Sequence, residues 1–567
     1  MAKQSTHKTG AEKTANAETS KPSKSFLKLS KEDKIAYSVL GFVVLLIIAI
    51  RSKFFGIPFE RDEGIYGYIG KLLLEGKTPY KDFYEQKFPG LFYFYAFMVG
   101  VFGDTVKGLH MGFMFLNILT VFLLFFASRR MFSPYAGAIT AITYAIVSLT
   151  PNLSGFTVQS EHGVAFFISL GIFFYAYTIN NSGWKYHFFM GLAMGAAFMT
   201  KTSGLFLVLW GGLVVISDQF FSPNKDKKIV NVIKKGAIYS AGVFSVIGIV
   251  FLAIILKGAF NEMIYWAYLT PKNYVGKITW EQGKQYLEFS FKAITGEYKL
   301  FWWHAFISMG ILLLKNFPLR LRIMAVLLLG LSFATVFPGF YFYGHYWIQI
   351  LPGLAILSGL CYYVITEMLT VRLKMKWKNI GIAYLSVFIV ATLVHLNKNK
   401  DYYFSPDYDR IMRTVYGNNP FPESMAIANY INANSKPEDG IVLLGSEPQI
   451  YFYTKKKCPS RHAYFAALVN DVPEHHAWQR EFVADVEKAK PKYLVFFNHQ
   501  ISLFIQPNTE RYVFEWYEKY VRENYDVIGL VDMVNGYTSV YKWREQMNGY
   551  QPQSQSQIYV FERKAGK

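Results

Sequence analysis

Cysteine is scarce, with two in 567 residues: Cys361 in an apolar run and Cys458 in a polar one. So few thiols exclude a disulfide framework, and neither stands in a metal-ligand spacing. Charge is scarce too, at 17% of residues against about 25% in an ordinary soluble domain. There is no glycine-rich phosphate loop and no internal repeat, which argues against a nucleotide-binding core and a repeat array. Acidic residues are outnumbered 39 to 59 by Lys and Arg, giving a net charge of +20. A basic balance can mark a nucleic-acid binder. Here the positive charge lies largely between hydrophobic runs, as in the cytoplasmic loops of membrane proteins, and no nucleic-acid partner is expected.

Apolar residues are abundant, at 52% with 18% aromatic. They concentrate in runs of roughly 15–22 residues between Asp33 and His395, long enough to cross a bilayer. Most of these runs lack the polar stripe of a water-facing helix. The pattern predicts a polytopic α-helical membrane protein. The first 34 residues hold eight lysines among Ser, Thr, Ala and Glu. They read as a disordered, basic cytoplasmic tail, too polar for a cleaved signal peptide, with Ala36–Ile50 as a retained first span.

Charge and length predict about eleven spans. They fall at Ala36–Ile50, Gly108–Ala127, Tyr135–Leu149, His162–Thr178, Phe188–Thr200, Gly204–Ser217, Ala237–Leu256, Phe301–Leu314, Ile323–Phe337, Trp347–Met368 and Ile380–His395. Arg129 and Arg130, Lys234 and Lys235, Arg320 and Arg322, and Arg372 to Lys378 then lie inside. The layout is a tail over 1–34, a membrane domain over 35–396 and a soluble α/β domain over 397–567, outside by the odd span count. Two large outer loops cover 51–107 and 257–300. In the first, Ile65, Ile69, Leu72 and Leu73 share one helical face, ended by Gly76 and Pro79. That predicts an amphipathic helix along the outer membrane surface, with Leu91–Phe102 as a second. In the C-terminal region Gly440–Leu444, Tyr493–Phe497 and Val527–Val531 read as strands, and Pro422–Asn434 as a helix.

The first loop also holds an unusual constellation: Arg61-Asp62-Glu63, Tyr66, Gly70, Gly76, Pro79-Tyr80, Asp82, and Glu85 to Gly90 with Lys87. A lone Asp-Glu pair reads as solvated loop; the whole pattern is not explained by spanning. Elsewhere each candidate has a bland reading beside a functional one. Glu161, before His162, is either a site carboxylate or one favoured at a helix N-terminus. Lys201 lies in a strongly apolar hairpin and either snorkels to headgroups or meets an anionic partner. His345, among Tyr341, Tyr343 and Tyr346, fits either an aromatic interfacial belt or a phosphate contact. His475-His476, after Glu474, reads as solvated loop, and no His/Cys cluster has zinc spacing.

The stretch R-D-E-x-x-Y-x-x-x-G-x-x-x-x-x-G-x-x-P-Y-x-D-x-x-x-x-K-x-P resembles the first outer loop of the C-type glycosyltransferase superfamily. The nearest groups are the protein O-mannosyltransferases and the aminoarabinose transferases of lipid A. Gly191–Leu207 resembles that family's hairpin with a lysine at its tip, Gly344–Gly359 its late span, and Glu423–Arg461 the start of the outer domain in bacterial members. The resemblance covers most of residues 55–465. It implies a polyprenyl-phosphate-linked sugar donor and inverting transfer to a lipid, a surface glycan or a protein. The acceptor hydroxyl then needs a base, and the departing phosphate needs cations.

By family position Asp62 is the candidate base, and Glu63 positions the acceptor or binds a metal. Glu161 assists the base or holds a divalent ion with Asp62. Lys87, Lys201, His345, Tyr343 and Arg461 are candidates for the donor phosphate. Arg61, Tyr66, Tyr80, Asp82 and His162 are candidates for positioning or acceptor contacts. No metal ligand is assigned, although the carboxylates fit either a metal-free site or one with Mg or Mn. The expected place is the inner or plasma membrane, among its lipids, with the C-terminal domain extracytoplasmic. The competing readings are a transporter or flippase of lipid-linked saccharides and a non-catalytic lipid-carrier-binding member of the same fold.

Overall fold

The structure is a computed structural model that describes residues 29–179, 183–221, 228–272, 276–314, 317–469, 474–536 and 538–566. Most of the expected tail over 1–34, up to residue 28, lies outside the described residues. The first helix, α1 (Lys31–Arg51), is capped by Ser30, whose hydroxyl accepts the Asp33 N–H. Val43 and Ile47 are buried in the bundle while Leu45 and Ile48 are exposed. Then come α2 (Arg61–Leu74), α3 (Pro89–Phe102), α4 (Val106–Met131), α5 (Pro134–Val147), α6 (Ser160–Thr178), α7 (Trp184–Thr200), α8 (Leu205–Phe220) and α9 (Lys228–Leu256). Thr105 and Ser133 cap α4 and α5 in the same way as Ser30.

Among the described residues, six helices are long and apolar enough to cross a membrane: Lys31–Phe54, Val106–Met131, Thr202–Phe220, Lys228–Leu256, Gly344–Leu373 and Trp377–Lys398. The other five expected crossings fall on different ground. Three lie on α5, α6 and α7, of 14, 19 and 17 residues. The last two lie on Lys299–Ile307, continued as 3-10 turns to Leu313, and on the 16-residue helix Leu319–Ala334. At about 1.5 Å per residue, sixteen residues reach about 24 Å, short of a hydrocarbon core of about 30 Å. The helices α4 to α9 pack pairwise: α4 on α5 and α6, α7 on α6 and α9.

The C-terminal region carries a five-stranded mixed sheet in the order β1-β2-β5-β3-β4. Its strands are β1 (Ile441–Leu444), β2 (Tyr493–Asn498), β3 (Tyr525–Asp532), β4 (Val540–Trp543) and β5 (Gln557–Arg563). β1 and β2 are parallel; β5 runs antiparallel between β2 and β3, and β4 closes the far edge. The helix read from sequence at Pro422–Asn434 is Phe421–Asn434.

The first loop departs from its expected place. Sequence periodicity lays one face of α2 on the membrane surface. In the structure Arg61, Glu63 to Gly70 and Leu72 are buried, so both faces are covered. The cause lies in three glycines. A Cβ on Gly64 would stand 2.5 Å from the Gln449 backbone, one on Gly67 3.2 Å from Leu109 and Phe452, and one on Gly70 2.8 Å from the Tyr95 backbone. Without those side chains, α3, α4 and the helix Gln449–Thr454 close on α2 from different sides. The result is one hydrophobic core shared by residues from both the first loop and the C-terminal sheet.

Candidate active site

The site starts at the N-terminus of α2. Glu60 is the N-cap, and with Glu63 it forms a reciprocal capping box: Glu63 N–H donates to Glu60 Oε1 at 2.9 Å and Glu60 N–H to Glu63 Oε2 at 2.8 Å. The same two carboxylates tie α2 to the entry of α6. Gln159 Nε2 donates to Glu60 at 2.6 Å, and Val158 N–H donates to the other Glu63 oxygen. Tyr95 holds the Val158 carbonyl. Glu63 is therefore consumed by backbone donors, and burial pushes its carboxyl up to about 8. Burial raises Glu60 as well, followed by the neighbouring Asp62 and Glu63 charges.

Asp62, between the two, is half-buried. Among the described residues it makes no side-chain hydrogen bond or ion pair. Its charge acts on Lys87, Glu85, Tyr66, Tyr343 and His345. Lys87 is held by its loop: Tyr80, at φ +65°, donates its hydroxyl to the Lys87 carbonyl at 2.6 Å. The Lys87 Nζ lies 3.6 Å from Glu85 Oε1 and 5.9 Å over the Tyr66 ring, with 37% of the side chain exposed. Burial opposes the Lys87 charge, yet Glu85, Asp62 and Glu161 together hold its pKa above the ordinary lysine value. Burial raises Glu85, and Lys87 works against that rise.

The second lysine arrives from α7. Gly90 packs so closely on the end of that helix that a Cβ there would lie 2.5 Å from the Met199 carbonyl. The helix ends at Lys201, in extended conformation. Lys201 forms an ion pair with the buried Glu161 and lies 4.0 Å above the Tyr346 ring. His345 Nε2 stands 3.9 Å from the same carboxylate and stacks on Tyr343 at 5.8 Å. Thus Asp62, Glu161, Lys87, Lys201, His345, Tyr343 and Tyr66, scattered over nearly 300 residues, meet at one place. The arrangement offers one carboxylate, unpartnered among the described residues, that acts on Lys87, beside two lysines each paired with a carboxylate of its own.

Other sequence candidates lie elsewhere. Arg461 pairs with Glu481 at 2.7 Å, on a cleft of about 320 Å³ that also holds Asp82, Lys77, Lys81 and Lys457. Asp82 itself closes a turn by accepting the Thr78 N–H at 2.7 Å. His162 points to α4, with Nδ1 3.2 Å from Asn117 and its ring edge-on to Phe113. Arg61 is buried against the C-terminal region, paired with Glu447 at 2.9 Å.

Two contributors lie outside the sequence motif, and a third, Glu85, lies within it without an assigned role; its spacing of two from Lys87 is the available signal. Glu60 precedes the motif, and its box with Glu63 has glutamate where the sequence signature calls for Ser or Thr, so the pattern does not announce the cap. Tyr464 brings its phenol into the fields of Arg61, Asp62, Glu60 and Glu85, and burial raises its pKa. Nothing in the sequence links position 464 to position 62.

As a test of metal binding, the carboxylates of Asp62, Glu85 and Glu161 do not gather to ligand spacing. Among the described residues the group that does is His475, His476 and Glu510, with all ligand atoms within 4.8 Å. Arg480 already lies 3.5 Å from Glu510 there.

Residues 86–247 match the profile of the dolichyl-phosphate-mannose-protein mannosyltransferase family. No curated protein matches the chain in sequence. Solved structures do match in fold. ArnT from Cupriavidus metallidurans bound to undecaprenyl phosphate is 14% identical, covers 81% of this chain and 93% of its own, and gives a TM-score of 0.53. Its apo form is 13% identical over 93% of this chain and 97% of its own, at 0.52. The archaeal oligosaccharyltransferase AglB from Archaeoglobus fulgidus, in complex with an inhibitory peptide and a dolichol-phosphate, is 12% identical over 91% of this chain and 75% of its own, at 0.50. The chain therefore has the fold of ArnT and AglB and, over residues 86–247, resembles the protein O-mannosyltransferase family.

Proposed function

We propose that the chain is an inverting glycosyltransferase, taking a sugar from a polyprenyl-phosphate carrier and passing it to a hydroxyl of an extracytoplasmic lipid, glycan or protein. The observation that carries this reading is the Asp62 carboxylate acting on the paired Lys87, with His345 in the field of both and of the Lys201–Glu161 pair. Asp62 takes the proton of the acceptor hydroxyl as its oxygen attacks the anomeric carbon from the face opposite the phosphate. The C–O bond to the phosphate breaks and the carrier leaves with one more negative charge. Lys87, Lys201 and His345 stabilise that charge where it develops, at a site walled by Tyr66, Tyr343 and Tyr346. Glu85 pairs with Lys87 and Glu161 with Lys201 until a donor phosphate takes their place. Glu63, spent on capping, positions the loop rather than the acceptor.

The undecaprenyl phosphate bound by ArnT and the dolichol-phosphate bound by AglB support the carrier class. The chain then lies in the cell membrane with about eleven crossings and its C-terminal domain outside. The charges gather at one place instead of lining a path through the bundle, which favours transfer over transport. The test is a panel of undecaprenyl-phosphate-linked sugars, hexoses and pentoses, added to purified protein in detergent. One sugar raises the Tm above the carrier alone and is slowly hydrolysed. No response to any carrier, including undecaprenyl phosphate itself, refutes the reading.

A further inference from the structure

Arg61 stands next to Asp62 and directs all three guanidinium nitrogens to the C-terminal region. Its Nε donates to the Ser446 carbonyl at 2.8 Å; Nη2 donates to Glu447 Oε1 at 2.9 Å and to the Ile501 carbonyl at 3.2 Å; Nη1 donates to Asn419. The rings of Phe421 and Phe504 each lie 5.1 Å from its central carbon. Glu447 is fully buried, and its second oxygen accepts the Ser502 hydroxyl. One turn on, Gly64 lies against the Gln449 backbone. On the opposite side Glu63 is fixed to Val158. Among the described residues no hydrogen bond or ion pair holds the Asp62 side chain, so its direction is set by the clamped residues on either side.

A buried arginine with all three nitrogens partnered fixes geometry better than a lysine could, because its planar fork must meet every partner at once. Such a pair is a poor device for stability, since an apolar replacement often does as well. Its value here is placement. We propose that Glu447 is a positioning residue: through Arg61 it fixes how the Asp62 carboxylate meets the acceptor hydroxyl, so that the C-terminal domain sets the rate of transfer. This rests on the reading of Asp62 as the base.

The test compares Glu447→Gln and Arg61→Lys with wild type, alone and in an Asp62→Asn background, using the undecaprenyl-phosphate sugar selected by the panel above. The readouts are kcat, donor KM and Tm of the full-length protein in detergent. Both substitutions lower kcat at least tenfold with donor KM within twofold and Tm within a few degrees of wild type. In the Asp62→Asn background neither lowers the residual rate further, because the group they position is gone. Wild-type kcat in both variants, a collapse of kcat, KM and Tm together, or losses that multiply in the Asp62→Asn background each overturn the proposal. An inactive Asp62→Asn beside fully active Glu447→Gln and Arg61→Lys overturns the positioning role alone. Wild-type turnover by Asp62→Asn overturns the base assignment, and the positioning role with it.

Discussion

Lys201 and Glu161 form an ion pair that joins the end of α7 to the first turn of α6, with the glutamate side chain only 1% exposed. Removing the cation leaves a buried carboxylate unpaired, at about 3–5 kcal/mol for a pair of this kind. The same cation is placed to grip the donor phosphate. Lys201→Met therefore lowers the Tm and weakens binding of undecaprenyl phosphate at least tenfold, while Lys201→Arg keeps most of both. Thermal unfolding in detergent, with and without the lipid, measures the two effects together. A Lys201→Met protein with wild-type lipid affinity takes this residue out of the phosphate site.

Asp62 stands apart from the other acids of the site because, among the described residues, it has no hydrogen-bond or ion-pair partner to lose. Replacing it by Asn removes the base and disturbs little packing. General-base catalysis contributes about 10²–10⁴-fold, so Asp62→Asn lowers kcat by that range with donor affinity retained. Lipid binding and single-turnover transfer, measured on one preparation, separate these outcomes.

The spacing of the two lysines depends on Gly90, which brings the start of α3 onto the Met199 backbone. A methyl group there has no room, because the obstacle is main chain and not a side chain that can swing away. Overpacking of this kind costs about 1–3 kcal/mol. Gly90→Ala accordingly lowers the Tm and raises the donor KM by moving Lys87 away from Lys201, with kcat falling less than KM rises. A Tm and KM equal to wild type show that the two helices separate without consequence.

How much of this was readable beforehand follows from where each signal sits. The motif from Arg61 to Pro89 is local, so its carboxylates and Lys87 stand out in the sequence itself. Lys201 and His345 were legible because charge inside apolar runs is costly. Glu447 and Tyr464 were not, because they come from a polar domain in which charged and aromatic residues are ordinary. The burial of α2 on both faces was missed for a related reason. Its apolar periodicity records one face, whereas the glycines that admit neighbours at the other carry no hydrophobic signal. β4 and β5 also escaped: β4 is four residues long, and β5 mixes Gln, Glu and Arg with its buried Ile558 and Val560.

The carboxylates of the site do not gather to metal-ligand spacing, which gives a simple expectation for chelation. Turnover of the selected donor is unchanged by EDTA, and added Mg or Mn does not raise it. Loss with EDTA that Mn restores would place an ion beside Asp62 and change the charge balance of the whole site.

Glu63 gives the pH dependence. Its carboxyl is pushed up to about 8 in the folded protein from an ordinary value of 4.5, chiefly by burial and further by Asp62, against the hydrogen bonds from Glu60 and Val158. A folded-state pKa above the unfolded one means that the native state holds the proton more tightly. This group's contribution is therefore complete below about pH 4.5 and is lost progressively as the pH rises toward 8. Because other groups titrate over the same range, the difference between wild type and Glu63→Gln isolates the effect. The Tm of wild type falls more steeply than that of the variant across this window, since glutamine cannot ionise. Asp62→Asn shows an intermediate slope, because its charge is one of those that disfavour the ionised Glu63. Parallel Tm curves for wild type and Glu63→Gln mean that the Glu60–Glu63 box is ionised throughout and holds α2 by charge, not by a retained proton.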